Sequence, residues 1–188
     1  MILVLIGEDK VMTGKEAMEK AGIKTVKLEF KEGIALNNGT QLMTAMAALA
    51  VHDAEKLVET VEVAAALTLK ALLGVSDAFD EKIHMVRPHE GQAITAENIR
   101  ELIAGSRLVQ TGKEAMMKLH RPHDPYSLRC APQVLGAARD AIAYAKRTVL
   151  VEINSATDNP LVFPEDETCL SGGNFHGSQY PLQWTWLA

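Results

Sequence analysis

Cysteine is nearly absent from the sequence: Cys130 and Cys169 are the two present, and no other residue pairs with them at a ligand spacing. This excludes a disulfide framework and a cysteine-built zinc site, and it fits a reducing compartment, the cytoplasm. Aromatic residues are also scarce, at 5% of the 188 residues. With many Ala, Leu and Met, that scarcity favours helix over sheet. No basic run occurs, and 19 basic against 24 acidic residues leave a net charge of −5, so nucleic acid is not an expected partner. Long apolar runs are missing too. The longest uncharged apolar stretch, Thr40 to Val51, falls well short of the roughly 18 residues of a membrane span. Met1–Gly7 carries no basic n-region and is too short for a signal peptide. No histidine pair has metal-ligand spacing; His52 and His84 read as helix residues, exposed or internally satisfied. There is no internal repeat and no low-complexity segment.

What is present is an ordinary globular composition, 47% apolar and 23% charged, long enough for one domain with a core. Thr13-Gly14-Lys15-Glu16 is a capping box that predicts a short helix ending at Gly22. Ile23 to Phe30 alternates apolar and charged residues and predicts an extended segment. Thr40 to Leu73 places Leu42, Met46, Leu49, Leu57, Val61, Ala64, Leu67 and Leu72 at helical spacing without Pro or Gly. It predicts one long helix, buried on more than one side in its first half, in an all-α bundle. Thr95 is the expected cap of a second helix reaching Leu119, with Met116 and Met117 in the core, and Pro132 opens a third helix to Asn154. Beyond Asp158-Asn159-Pro160 the chain reads as loop. So few helices with such apolar faces call for partners.

Chemistry concentrates in His123-Asp124-Pro125-Tyr126-Ser127-Leu128-Arg129-Cys130. One reading is a solvated loop whose Asp caps the next helix. The other is a site: a guanidinium between apolar helices is suited to grip a substrate carboxylate through a bidentate fork, and Tyr126 can hydrogen-bond or move a proton.

The octapeptide resembles the Asp-Pro-Tyr-Ser-Leu-Arg-Cys signature of the histidine ammonia-lyase and related aromatic amino acid ammonia-lyase family. Asn38-Gly39-Thr40-Gln41, Arg87-Pro88-His89, Pro132-Gln133-Val134, Glu152-Ile153-Asn154-Ser155-Ala156-Thr157-Asp158-Asn159-Pro160-Leu161 and Gly173-Asn174-Phe175-His176-Gly177 are similar to further family motifs, in the family's order. The resemblance implies an all-α fold like the aspartase and fumarase group, in a homotetramer whose sites combine residues of several subunits. It implies elimination of ammonia from an amino acid without an external cofactor, using a methylidene-imidazolone ring that forms from an internal Ala-Ser-Gly. By the same resemblance Asn38 contacts that electrophile and the substrate, Tyr126 lies beside it, Arg129 pairs with the substrate carboxylate and Phe175 packs over the ring. Arg87, His89 and Gln92 are assigned a structural job, as are the capping and turning residues Ser155, Thr157, Asp158 and Asn159. Cys130 and Cys169 are assigned as buried thiols.

The sequence departs from the family at several points. His123 stands where the family carries a glutamine near the substrate, and Glu90 replaces a proline. No Ala-Ser-Gly occurs in the 188 residues. Met1–Gly7 resembles the helix that follows the electrophile, so the chain is expected to be an internal piece, with residues 1–177 as a partial lyase domain and 178–188 as a divergent tail. The expected function is that of a histidine ammonia-lyase, giving trans-urocanate from L-histidine. The alternative within the family is a phenylalanine or tyrosine ammonia-lyase or aminomutase. The alternative of another class is an inert helical piece that self-associates or needs complementation.

Overall fold

The computed structural model describes residues 3–6 and 10–179. The chain divides into two compact units, residues 1–38 and 39–188.

The first unit opens with an antiparallel pair, β1 (Leu3–Ile6) and β2 (Lys10–Thr13), in the register Leu3 to Thr13 and Ile6 to Lys10. The helix expected over Met1–Gly7 is therefore a strand where it is described. Val4 and Ile6 are β-branched and favour extended backbone, and all four residues find partners in Lys10–Thr13. The capping box forms as expected. The Thr13 hydroxyl accepts from the Glu16 amide while the Glu16 carboxylate accepts from the Thr13 amide, starting α1 (Gly14–Lys20). Gly22 closes the turn at φ +67°, where a side chain would be strained. Residues 23–29 join no ladder, so their alternation does not make a strand. The short α2 (Glu32–Ala35) follows.

In the second unit α3 (Gln41–Ala71) is the long helix expected. It packs with α5 (Glu90–Ile103) and α8 (Ala131–Glu152). One apolar cluster joins Ala47, Val51 and Val58 to Ile142, Ala145 and Val149; a second joins Ala66, Leu69, Phe79, Ile99, Ile103 and Leu128. Each large side chain buried this way contributes about 1.5–3 kcal/mol. The burial is one-sided, however. Leu42, Met46 and Leu49 are exposed rather than enclosed, because the described helices cover one face of α3. Met116, Met117 and Cys169 are exposed and Cys130 is half-buried, so the expected core methionines and buried thiols are corrected.

The second helix also differs from expectation. α4 (Glu81–Met85) precedes α5, and α5 begins at Glu90, so Thr95 is buried mid-helix instead of capping it. The chain breaks after Ile103, with Gly105 at φ +67°, and restarts as α6 (Gly112–Leu119) on a second capping box, Thr111 with Glu114. Thr111-Gly112-Lys113-Glu114-Ala115-Met116 repeats Thr13-Gly14-Lys15-Glu16-Ala17-Met18, a short repeat that the sequence reading missed and that makes the same local structure twice.

α7 (Tyr126–Arg129) is a single turn before α8, which runs two residues short of the expected Asn154. The region expected as loop beyond Asp158 holds a hairpin, β3 (Leu161–Phe163) with β4 (Thr168–Leu170). Its three-residue strands are too short to show an alternation. Asn159 does act as a turn residue: its Oδ1 accepts from the Gly172 amide at 2.7 Å. The tail from residue 180 lies outside the described residues.

Candidate active site

The site is built on one helical turn. Pro125 precedes α7 with φ −62°, and its carbonyl accepts the amides of Leu128 and Arg129. Leu128 points into the second apolar cluster. Tyr126 and Arg129, three residues apart, share the other face. The Arg129 guanidinium lies 4.6 Å from the Tyr126 ring centroid, a cation–π distance. Tyr126 is 72% exposed and Arg129 half-buried, and both line a cleft of about 380 Å³ with Val75, Ala78, Ile83 and His123. The cleft therefore combines an apolar wall with a guanidinium, a phenol, an imidazole and the carboxylates of Asp77 and Asp124. His123 is exposed, its Nδ1 3.3 Å from the Asp124 carbonyl.

Three of the five expected site residues thus meet in one cleft. Phe175 is half-buried in the segment after β4 and does not line that cleft. Asn38 is half-buried at the end of the first unit, where its amide donates to the Ile34 carbonyl at 2.8 Å.

The motif around Arg87 proves structural in its contacts. Arg87 Nη1 donates to Gln92 Oε1 at 2.6 Å, and Gln92 Nε2 lies 3.0 Å from Nδ1 of buried His84. With the Gln92 oxygen taken by Arg87, its amide donates to Nδ1 and the neutral ring carries its proton on Nε2. Burial pushes the His84 imidazole down, Arg100 adds to the drop, and the Ala78 backbone and Asp80 partly oppose it. His89, in the same motif, is exposed just before α5.

The sequence offered Asp124 only as a cap. Instead of capping the following turn, its carboxylate is buried and accepts the Val75 amide at 2.7 Å. A buried acid in an otherwise exposed loop was the available signal, and it needs the tertiary structure to be seen. No cluster of three or more His, Cys, Asp or Glu suited to a metal occurs among the described residues. No described helix is long and apolar enough to cross a membrane.

The profile of the aromatic amino acid lyase family matches residues 1–186. The chain belongs to that family. It is 53% identical over 193 residues to a histidine ammonia-lyase of Alkaliphilus metalliredigens, a match covering 100% of this chain and 37% of that protein. Among solved structures, Pantoea agglomerans phenylalanine aminomutase superposes with a TM-score of 0.85 at 33% identity, over 96% of this chain and 37% of that one. Histidine ammonia-lyase from Trypanosoma cruzi superposes with 0.72 at 37% identity, over 89% and 30%. The chain spans little more than a third of the length of the curated relatives it matches. Within the family, the helical fold expected from the sequence is the one observed, with its small strand near the N-terminus.

Proposed function

We propose that these residues form part of the substrate pocket of a histidine ammonia-lyase, a cytoplasmic homotetramer that converts L-histidine to trans-urocanate and ammonia. The reading is supported above all by the pairing of Tyr126 and Arg129 on one face of α7, in a chain about half identical to proteins named for that activity. In the elimination a base takes the Cβ proton, the C–H electron pair becomes the C=C bond, and the Cα–N bond breaks so that the protonated amine leaves as ammonia. The methylidene-imidazolone, formed from an Ala-Ser-Gly that these 188 residues do not contain, supplies the electrophile that activates the amine for departure. The open, phenol-bearing cleft suits an electrophile delivered by another segment, because Tyr126 is exposed there. Arg129 holds the substrate carboxylate with two charge-assisted hydrogen bonds. Tyr126 orients the substrate beside the electrophile, Phe175 packs over the ring, and His123 bears on substrate preference in place of the family glutamine.

The test is a full-length lyase in which these residues replace the matching segment of the Alkaliphilus metalliredigens enzyme. It should form urocanate, followed by ultraviolet absorbance, and Arg129→Gln should lower kcat/KM by about tenfold or more, mainly through KM. A folded hybrid that acts on phenylalanine or tyrosine but not histidine would replace this reading with the other branch of the family. That branch is favoured by the superposition on the aminomutase.

A further inference from the structure

We propose that Asp124, paired with Arg121, is the positioning residue of the Tyr126–Arg129 pair and holds it in register with the end of α3. The proposal rests on the reading of Arg129 as the carboxylate-binding group. Asp124 is 1% exposed, while His123 and Pro125 on either side are exposed. A carboxylate is taken out of water in this way only where its charge is met.

Two groups meet it. Asp124 Oδ2 accepts the Val75 amide at 2.7 Å, and Oδ1 lies 3.2 Å from Arg121 Nη2. The same Nη2 donates to the carbonyls of Leu72 and Leu73 at 3.2 and 2.7 Å. These belong to the end of α3, where a helix leaves its carbonyls without partners. Val75 is itself held, because Gln110 donates its amide to the Gly74 carbonyl at 2.8 Å and accepts the Ser76 amide at 2.9 Å. The approach is close enough that a Cβ on Gly74 would come within 3.2 Å of Asp124 Oδ2.

On the other side of Asp124, one residue separates it from Tyr126, and that residue is Pro125, whose ring fixes φ. The Pro125 carbonyl then fixes Leu128 and Arg129 through their amides. The position of the buried carboxylate therefore passes to the phenol and the guanidinium with few free torsions between. Misplacing a substrate-binding group by an ångström is enough to cost a large factor in rate.

The test uses the full-length hybrid lyase and two probes, imidazolepropionate and its primary amide, with dissociation constants measured by calorimetry. They share a skeleton and differ in the carboxylate charge. Asp124→Ala should weaken imidazolepropionate by about tenfold or more and leave the amide within about twofold, as expected for a displaced carboxylate grip. Asp124→Asn keeps an acceptor for the Val75 amide and should shift the same ratio less, as should Arg121→Gln; these two carry the test if the alanine variant does not fold. Equal weakening of both probes, or no change in either, overturns the proposal. If Arg129→Gln fails to separate the acid from the amide, the carboxylate role of Arg129 is wrong, and the positioning role falls with it.

Discussion

At the scale of single residues, Glu62 decides how the three main helices meet. It is buried on α3, and its carboxylate accepts from Arg139 Nε and Nη2, both at 2.7 Å, and from Asn98 Nδ2 at 2.8 Å. Burial pushes the Glu62 carboxyl up, but the hydrogen bonds from Arg139 and Asn98 and the Arg139 charge outweigh it and hold it below its ordinary value. A lowered pKa in the folded state means that the unfolded chain takes up the proton first on acidification. The stabilisation is therefore complete above the free value of about 4.3 and is lost as pH falls through the lower folded value. Arg139→Ala, which strands the buried carboxylate, should cost about 3 kcal/mol or more at neutral pH. Thermal melts from pH 7 to 3 should show the gap between wild type and Arg139→Ala narrowing as pH falls, because burial without Arg139 raises the variant's Glu62 while the wild-type group stays below its ordinary value. A gap independent of pH would remove Glu62 ionisation from the account.

At the scale of elements, α5 and α8 cross on two glycines. A Cβ on Gly136 would strike the Gln92 backbone and the Gly91 carbonyl carbon, and one on Gly91 would strike the Gly136 carbonyl oxygen. The same crossing brings Asp140 Oδ1 within 2.8 Å of the Gly91 amide, which caps α5 from the neighbouring helix. Alanine is the better helix former by about 1 kcal/mol, so propensity alone predicts that Gly136→Ala stabilises. The obstacle is backbone rather than a side chain that can swing away, so the substitution should instead destabilise by about 1–3 kcal/mol. A lower melting temperature for Gly136→Ala supports the close crossing, and a higher one contradicts it. The two Thr-Gly-Lys-Glu boxes behave oppositely to this crossing: their geometry is local, and both form alike in different surroundings.

At the scale of the whole molecule, the apolar side chains of α3 outnumber the places to bury them. Leu42, Met46, Leu49, Leu57 and Leu67 are all more than half exposed, along a helix of 31 residues. Contiguous apolar surface of this kind marks an association face. The 188-residue chain by itself should therefore elute from gel filtration as an oligomer whose size grows with concentration. With no Ala-Ser-Gly in its sequence, it should release no ammonia from histidine. A monodisperse monomer that melts cooperatively would contradict the first expectation, and urocanate in the cuvette the second.

The local and periodic features were legible in the sequence: the long α3, the start of α8 to within one residue of Pro132, the Thr13 capping box and the motif carrying Tyr126 and Arg129. These depend on neighbours a few residues apart, and on side-chain periodicity that the helix repeats for many turns. The break between α5 and α6 and the burial of Thr95 were not legible, because a cap-like threonine in mid-helix looks the same as a true cap until its neighbours are placed. The strand Leu3–Ile6 stands where the family resemblance implied a helix, and a short apolar segment suits helix and strand alike. By itself the sequence determined a mostly helical member of the lyase family and the residue types of a carboxylate-binding turn. The tertiary structure alone decided that Tyr126, Arg129 and His123 open onto one cleft and that Asp124 turns inward to Val75 and Arg121. The reason is physical: a buried charge takes its direction from the groups that satisfy it, and the Val75 amide lies 49 residues away along the chain.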